Sequence, residues 1–413
     1  MQHSYEALDR PGGVSDSPGG VKLLAPLRRR DFRVLWSGIA VSLVGIGMTV
    51  PTVVFLLPGG VVSDRLDRRL VMIAADSVRA LAVAALALLA LLAALRMWEL
   101  VLLVGVYGVG TAFFTPAFDA VVPDLLPGAE LPAANALDQL VRPIAFRLAG
   151  PALGGVLVAA GVGVAFAVDA LTFVVSMVAV VAVRTRPAAE HRHAPAHPAR
   201  ALGEGLRFVR QRAWLWGTLL SAALAYLVFM GPTEVLLPSI VKNDLHGSPT
   251  ALGLVFAAGG VGAIAAAIVM GQRRHPERDV TVMYVVWTLA TLAVAGYGLA
   301  AAAWQLMAAC LVFNALETVG TIVWATIKQR HVPAAMLGRV SSLDWLISIG
   351  LLPLSFALTA PVAGAVGARA TLVGAGIVGA AITLAALFLP DMREIEGRPA
   401  ETATQSALSR VAS

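Results

Sequence analysis

Eleven apolar stretches, each near the length of about 20 residues that a bilayer demands of a helix, dominate the chain; they run approximately 34–62, 71–95, 99–118, 134–160, 162–183, 214–240, 251–271, 280–303, 305–327, 340–366 and 369–389. All are of helix length and rich in Ala, Leu, Val and Gly, and nothing suggests an internal partner for strands. In lipid every backbone polar group must be satisfied internally, so a helix bundle meets the requirement here and a barrel does not. The expected fold class is therefore all-α and membrane-spanning. Composition agrees, with 58% hydrophobic and only 14% charged residues and a mean hydropathy of +0.80, where soluble chains carry about 25% charge.

The formal charge of +6 does not indicate a nucleic-acid partner, because the basic residues sit in short clusters between apolar runs, as in LRRRDFR (27–33) and SDRLDRR (63–69). That is the positive-inside distribution of a membrane protein, and no segment forms the basic face of a soluble domain. The single cysteine, Cys310, lies inside an apolar run, which rules out a disulfide framework or a cysteine metal cluster. Residues 1–20 are polar and rich in Gly, Pro and Ser, so no cleavable signal peptide is expected and the first membrane helix drives insertion.

Residues 184–213 hold seven arginines, two glutamates and three histidines around a Pro/Ala stretch and read as a hydrophilic central linker. The expected organisation is a polar cytoplasmic N-terminal tail (1–30), an N-terminal bundle with its first two helices merged (31–184), a basic cytoplasmic linker (185–213), a C-terminal six-helix bundle (214–390) and a C-terminal tail (391–413). Within the linker, LGEGLRFVRQR (202–212) is predicted as a short amphipathic helix on the cytoplasmic surface, its arginines facing headgroups. His191, His193 and His197 read as solvated linker in preference to a metal site. The linker, SDRLDRR, QRRHPERD (272–279) and KQR (328–330) fall on one side, whereas the opposite loops hold only Arg96, Lys242 and Arg369. The basic side, with the linker and C-terminal tail, is predicted to be cytoplasmic.

ALDQL (136–140) leading to LAGPALGG (148–155) is echoed by SLDWL (342–346) leading to LTAPVAGAVG (358–367), which sets Asp138 and Asp344 at matching places in two weakly repeated halves. The halves differ at their start. Gly271 follows Trp214 by 57 residues, room for two helices and a loop, but Gly60 follows Phe32 by only 28. Two full crossings need about 40 apolar residues, so 34–62 supplies either one crossing or a broken hairpin bent at Gly45, Gly47, Pro51 and Pro58.

GGVVSDRLDRR (59–69) places Gly60, Asp64, Arg65, Arg68 and Arg69 between two apolar helices. Gly60 permits close helix approach. Asp64 can accept hydrogen bonds from arginine and from the exposed amides of a helix N-terminus, a charge latch able to hold one conformation; the bland reading is topogenic charge. In GPALGG, Pro151 removes a backbone donor while Gly150, Gly154 and Gly155 offer a smooth face for close packing, with simple tight packing as the bland reading. These motifs carry a resemblance. The pattern G-x-x-x-D-R-x-x-R-R (60–69) resembles the signature loop of the major facilitator superfamily, and GPALGG resembles its antiporter motif. RRRDFRVLW, MIAADSVRA (72–80), FFTPAFDAVVPDLLP (113–127) and AFAVDALTF (165–173) are similar to the bacterial branch containing macrolide and enterobactin exporters. The resemblance implies twelve helices, alternating access about a central cavity, and export of a drug- or siderophore-like molecule by proton antiport, by a monomer in the cell membrane, with no cofactor. The chain departs from it in the shortened first helix pair, giving about eleven helices.

Ionisable residues inside membrane spans are costly and default to functional candidates; here they are Asp76, Arg79, Arg142, Arg147, Asp169, Glu234, Glu317 and Asp344. Asp76 with Arg79, and Asp138 with Arg142, are spaced to neutralise each other on one helix face. Arg147 falls near the midplane with Asp169 its expected partner. Glu317 lies mid-span with no charged residue within a turn along the sequence. A carboxylate withdrawn from water takes up a proton more readily, which makes Glu317 the first candidate for coupling or for binding a cationic drug, then Asp169, then Glu234; for each, a buried structural acid is the competing reading. None of the three lysines lies in a phosphate-cradling G-K-[ST] context, so gradient coupling is expected in place of ATP hydrolysis. A membrane enzyme is disfavoured because all seven histidines fall outside the apolar runs and neither H-E-x-x-H nor G-x-S-x-G occurs. The short first half keeps a non-transporting protein open as an alternative.

Overall fold

Leucine, alanine and valine runs bounded by Arg/Asp clusters fold here as helices, one per apolar stretch except for two stretches that are broken midway. The computed structural model describes residues 30–183, 198–273 and 275–396, with the side chains of 30–46, 146–148, 151–152 and 198–199 falling outside the description. The helices are α1 (Arg30–Arg65), α2 (Arg68–Leu91), α3 (Met97–Leu125), α4 (Leu131–Pro143), α5 (Gly150–Ala160), α6 (Val162–Ala182), α7 (Pro198–Arg210), α8 (Ala213–Ser239), α9 (Pro249–Gln272), α10 (Asp279–Leu299), α11 (Ala303–His331), α12 (Leu337–Gly350), α13 (Leu352–Val366) and α14 (Ala368–Leu387). Among the described residues, ten helical segments are long and apolar enough to cross a membrane. The remaining stretch of the sequence, 134–160, falls in a segment that is helical throughout but passes from α4 to α5 through a π-helical turn, Ile144–Ala149. Pro151 explains that turn. A proline brings no N–H to its helix, and widening the turn to π spacing accommodates the missing bond.

Gly47–Ser413 is one compact unit, and within it the second half reproduces the first. α4 and α5 match α12 and α13, each pair being a span broken midway. α9 packs against α4 and α11. The described part of α1 occupies the equivalent place against α3 and α12: a Cβ on Gly59 would meet the Ala112 carbonyl of α3, and one on Gly60 would meet Ser342 of α12. α1 is therefore the counterpart of α9, the second helix of its half, and α8 has no counterpart among the described residues. Of the two sequence alternatives for 34–62 the broken hairpin is not formed, since α1 stays helical through Pro51 and Pro58.

The consequence is visible on α6. Its counterpart α14 packs on α10 and α8, and 50% of its membrane window is buried; α6, packed on α2 and α5, has only 11% of its window buried. The short linker helix forms where the sequence placed it, as α7; its apolar face is buried against the bundle, Phe208 and Val209 joining Trp214, Leu337 and Val340 in one core cluster, while Arg207 and Arg210 are exposed. His191, His193 and His197 lie outside the described residues.

Candidate functional site

At the linker end of the bundle a pair of glycines sets the closest approach between the halves. Gly60 and Gly338 face each other where α1 crosses α12, and a Cβ on Gly338 would lie 2.6 Å from Asp64 Oδ1 and 2.8 Å from the Gly60 carbonyl. That approach brings Asp64 onto the first turn of α12. The Gly338 N–H donates to Asp64 Oδ1 at 2.8 Å, and Arg339 donates to Oδ2 through its backbone N–H at 3.2 Å and its Nε at 2.8 Å. Both side chains are buried, Asp64 at 2% and Arg339 at 3% exposure. Two terminal amides, a helix dipole and a guanidinium thus converge on one carboxylate. Arg339 also donates to the Ala201 carbonyl of α7 at 2.8 Å and approaches Glu204 within 3.6 Å, tying the linker helix to the same junction.

Of the remaining signature residues, Arg68 and Arg69 take separate partners. Arg68 is buried, donating to the Ala120 carbonyl (2.7 Å) and Asp124 (2.6 Å) of its own half and to the Ala334 carbonyl of the other. Arg69 caps the end of α6 through the carbonyls of Val180 (3.3 Å) and Val181 (2.7 Å), and Arg65 is half-buried. Further bonds between the halves cluster at this end, Asn135 donating to Thr326 (3.0 Å) and Gln329 (2.9 Å) and Arg330 to the Gly128 carbonyl (2.9 Å).

Beyond this seal lies a cavity of about 450 Å³. The first half lines it with α3 and α4, through Phe118, Asp119, Asn135, Asp138 and Arg142; the second half lines it with α8 and α10 to α14, through Tyr226, Phe229, Trp287, Phe313, Glu317, Trp324, Lys328, Asp344, Trp345 and others. Asp138 and Asp344, matched in the repeat, are matched in chemistry, since each holds a cation: Arg142 Nε reaches Asp138 at 2.7 Å, and Lys328 pairs with Asp344, which also accepts from Trp324 Nε1 at 2.9 Å. Asp119 accepts from Trp345 Nε1 of the other half at 2.9 Å and sits in the field of Lys328. Glu317 accepts from Thr321 at 2.8 Å.

Of the four residues put forward for coupling or substrate, the cavity takes in Glu317 alone among those described. Asp169 is exposed on α6 and Glu234 on α8, neither lining the cavity, and the Arg147 side chain lies outside the described residues, so its pairing with Asp169 does too. In the antiporter-like motif Pro151 also lies outside them, and Gly150 abuts the Ala145 carbonyl of the π turn. At Gly154 and Gly155, where close packing was expected, no atom among the described residues lies within 4 Å of a Cβ built on either. Asp76 and Arg79 pair on α2 as the spacing predicts, with Ser176 donating to Asp76 at 2.7 Å and Phe114 beneath the guanidinium at 4.1 Å. Lys328, Asp119 and Arg339 escaped the sequence reading because they lie just outside the apolar stretches as drawn. The signal for Lys328 was present, as Glu317, Thr321, Trp324 and Lys328 recur at helical spacing on one face.

The model of the transmembrane secretion effectors, a major facilitator family, matches residues 33–411. This chain belongs to that family. Among its relatives, macrolide efflux protein A of Streptococcus pyogenes is 24% identical over 87% of this chain and 89% of its own. The multidrug efflux pump Tap of Mycolicibacterium fortuitum is 28% identical over the same shares, 87% and 89%. The enterobactin exporter EntS of Citrobacter koseri is 29% identical over 74% of this chain and 71% of its own. Major facilitator architecture is seen also in solved structures: the human organic anion transporter MFSD10 (TM-score 0.65, 20% identity, 84% of this chain and 82% of that one) and the E. coli fucose:proton symporter FucP (TM-score 0.65, 13% identity, 87% and 91%). The family's members among these relatives are transporters and not enzymes, and this protein is a multi-pass membrane transporter of the same superfamily.

Proposed function

We propose that the protein exports a small, drug-like molecule across the cell membrane by alternating access, driven by proton antiport, with the linker end cytoplasmic. The observation that carries this reading is a cavity between the two halves with hydrogen bonds between the halves gathered at one end, around the buried Asp64–Arg339 pair. In this conformation the molecule is closed at its linker end. Breaking the Asp64 contacts opens that end, and a mobile seal next to a central cavity is what alternating access requires. Proton coupling rests on Glu317, a carboxylate facing the cavity at mid-span, which holds either a proton or a substrate.

Everted membrane vesicles energised by a proton gradient, with a panel of fluorescent drugs added outside, test the reading. Uptake that collapses with the gradient is expected, and Glu317→Gln is expected to abolish its pH dependence. Absence of gradient-driven flux for every compound would return the protein to the non-transporting alternative; unaltered pH dependence in Glu317→Gln would remove that residue from the coupling.

A further inference from the structure

We infer that Arg330 is the second half's own lock on the linker end, built with Asp279 as the counterpart of Arg68 and Asp124 but with the two charges exchanged; the inference rests on the alternating-access reading above. The repeat supplies the register. Asp138 and Asp344 stand 206 residues apart, and the same interval separates the first residues of α3 and α11, Met97 and Ala303, and of α4 and α12, Leu131 and Leu337. Between α1 and α9 the interval is 211, from Gly60 to Gly271. Packing agrees, since a Cβ on Gly60 would meet Ser342 and one on Gly271 would meet Ala136, themselves 206 residues apart.

Carried along those intervals, the ion pair of the first half reappears inverted. Arg68 opens α2 and binds Asp124, next to the last residue of α3, at 2.6 Å. Asp279 opens α10, and its field acts on Arg330, next to the last residue of α11. Each guanidinium then reaches the same carbonyl of the opposite half. Arg68 donates to Ala334, shortly before α12, and Arg330 donates to Gly128, shortly before α4, through Nε at 3.2 Å and a terminal nitrogen at 2.9 Å; Gly128 and Ala334 are again 206 residues apart. Asp124 and Asp279 each lie in the half of the arginine they act on, so they position it and do not themselves bridge the halves. Asp279 is 6% exposed, and it also meets His275 Nε2 at 3.4 Å and accepts from the Val280 N–H at 2.8 Å. The Asp64 contact has no such counterpart. His275 stands in its place, four residues beyond Gly271, and Pro132, with no N–H to offer, stands in that of Gly338. On that side of the seal the charged contact falls to Arg330.

Exchanging the charges makes the test. In a Cys310→Ala protein carrying a cysteine at Ser221 on the cavity wall, labelling by an impermeant maleimide is followed in everted membranes, where the linker end faces the reagent. Arg330→Gln and Asp279→Arg are each expected to raise the labelling rate about fivefold, the scale of one hydrogen bond across the seal. Asp279→Arg combined with Arg330→Asp gives the second half the polarity of the first, and is expected to return within about twofold of the parent. Parental labelling in Arg330→Gln, or a double variant as open as the single ones, overturns the inference. So does an equal rise in labelling from the opposite face in right-side-out vesicles, which marks general loosening. Labelling is read without flux: opening and rescue in a protein that moves no drug sink the exporter reading alone, and gradient-driven transport with no rescue sinks this one alone.

Discussion

Asp64 shows how much a single carboxylate can decide when it is fully desolvated. It accepts two backbone amides and a guanidinium at a buried junction, and removing one member of a buried pair costs about 3–5 kcal/mol because the other is stranded. Asp64→Asn is therefore expected to favour the conformer open at the linker end. The check is a Cys310→Ala protein carrying a cysteine at Ser221 on the cavity wall, with labelling from the linker side rising in Asp64→Asn. Lys328 and Asp344 make a second case. Lys328→Met is expected to lower the melting temperature by leaving Asp344 without its ammonium, and Lys328→Met combined with Asp344→Leu to recover much of the loss, a non-additivity that thermal unfolding of the two single variants and the double variant would reveal. The pattern Glu317, Thr321, Trp324, Lys328 was legible along α11. The partners, Asp344 on another helix and Asp119 in the other half, were not, because no local spacing encodes them.

Two elements carry features that periodicity alone did not disclose. The linker helix α7 was legible as amphipathic, but amphipathicity says only that one face leaves water; lipid and protein are equally good destinations. Phe208 is 2% exposed within the bundle, so Phe208→Ala is expected to cost about 3–5 kcal/mol, whereas Arg207→Ala and Arg210→Ala stay within about 0.5 kcal/mol. Thermal unfolding in detergent separates the two outcomes, and equal small effects would place the helix on the membrane surface after all. The α4–α5 span gives the opposite lesson. Its proline was read as removing a donor, and the structure answers with a π turn immediately before it, while Gly154 and Gly155 meet no close neighbour among the described residues.

At the scale of the whole molecule the two halves are unequal. The second half has both α8 and α9 where the first has α1 alone, and α8 supplies a wall of the cavity, Tyr226 and Phe229 among it. The cavity is consequently lined chiefly by the second half, and α6 keeps a face that α14 buries against α8. An odd number of crossings sends the ends of the array to opposite faces. A single cysteine at Ser15, in a Cys310→Ala background, is expected to be labelled on intact cells by an impermeant thiol reagent, and one at Pro195 in the linker is not. Protection of both would mean an even number of crossings and a segment before α2 that turns back.

The sequence by itself determined the membrane class, the two-half repeat, the shortened first half and the pairs whose members lie within one turn, Asp76 with Arg79 and Asp138 with Arg142. These follow from hydrophobic run length and helical spacing, which are local properties of the chain. Only the tertiary structure decided that α1 corresponds to α9, that Asp64 meets Arg339 across 275 residues, and that Glu317 shares a cavity with Asp119 and Lys328 while Asp169 and Glu234 do not. The physical reason is that apolar side chains face lipid and helix interior alike. Hydropathy therefore fixes which residues enter the membrane and leaves their rotation and neighbours to packing.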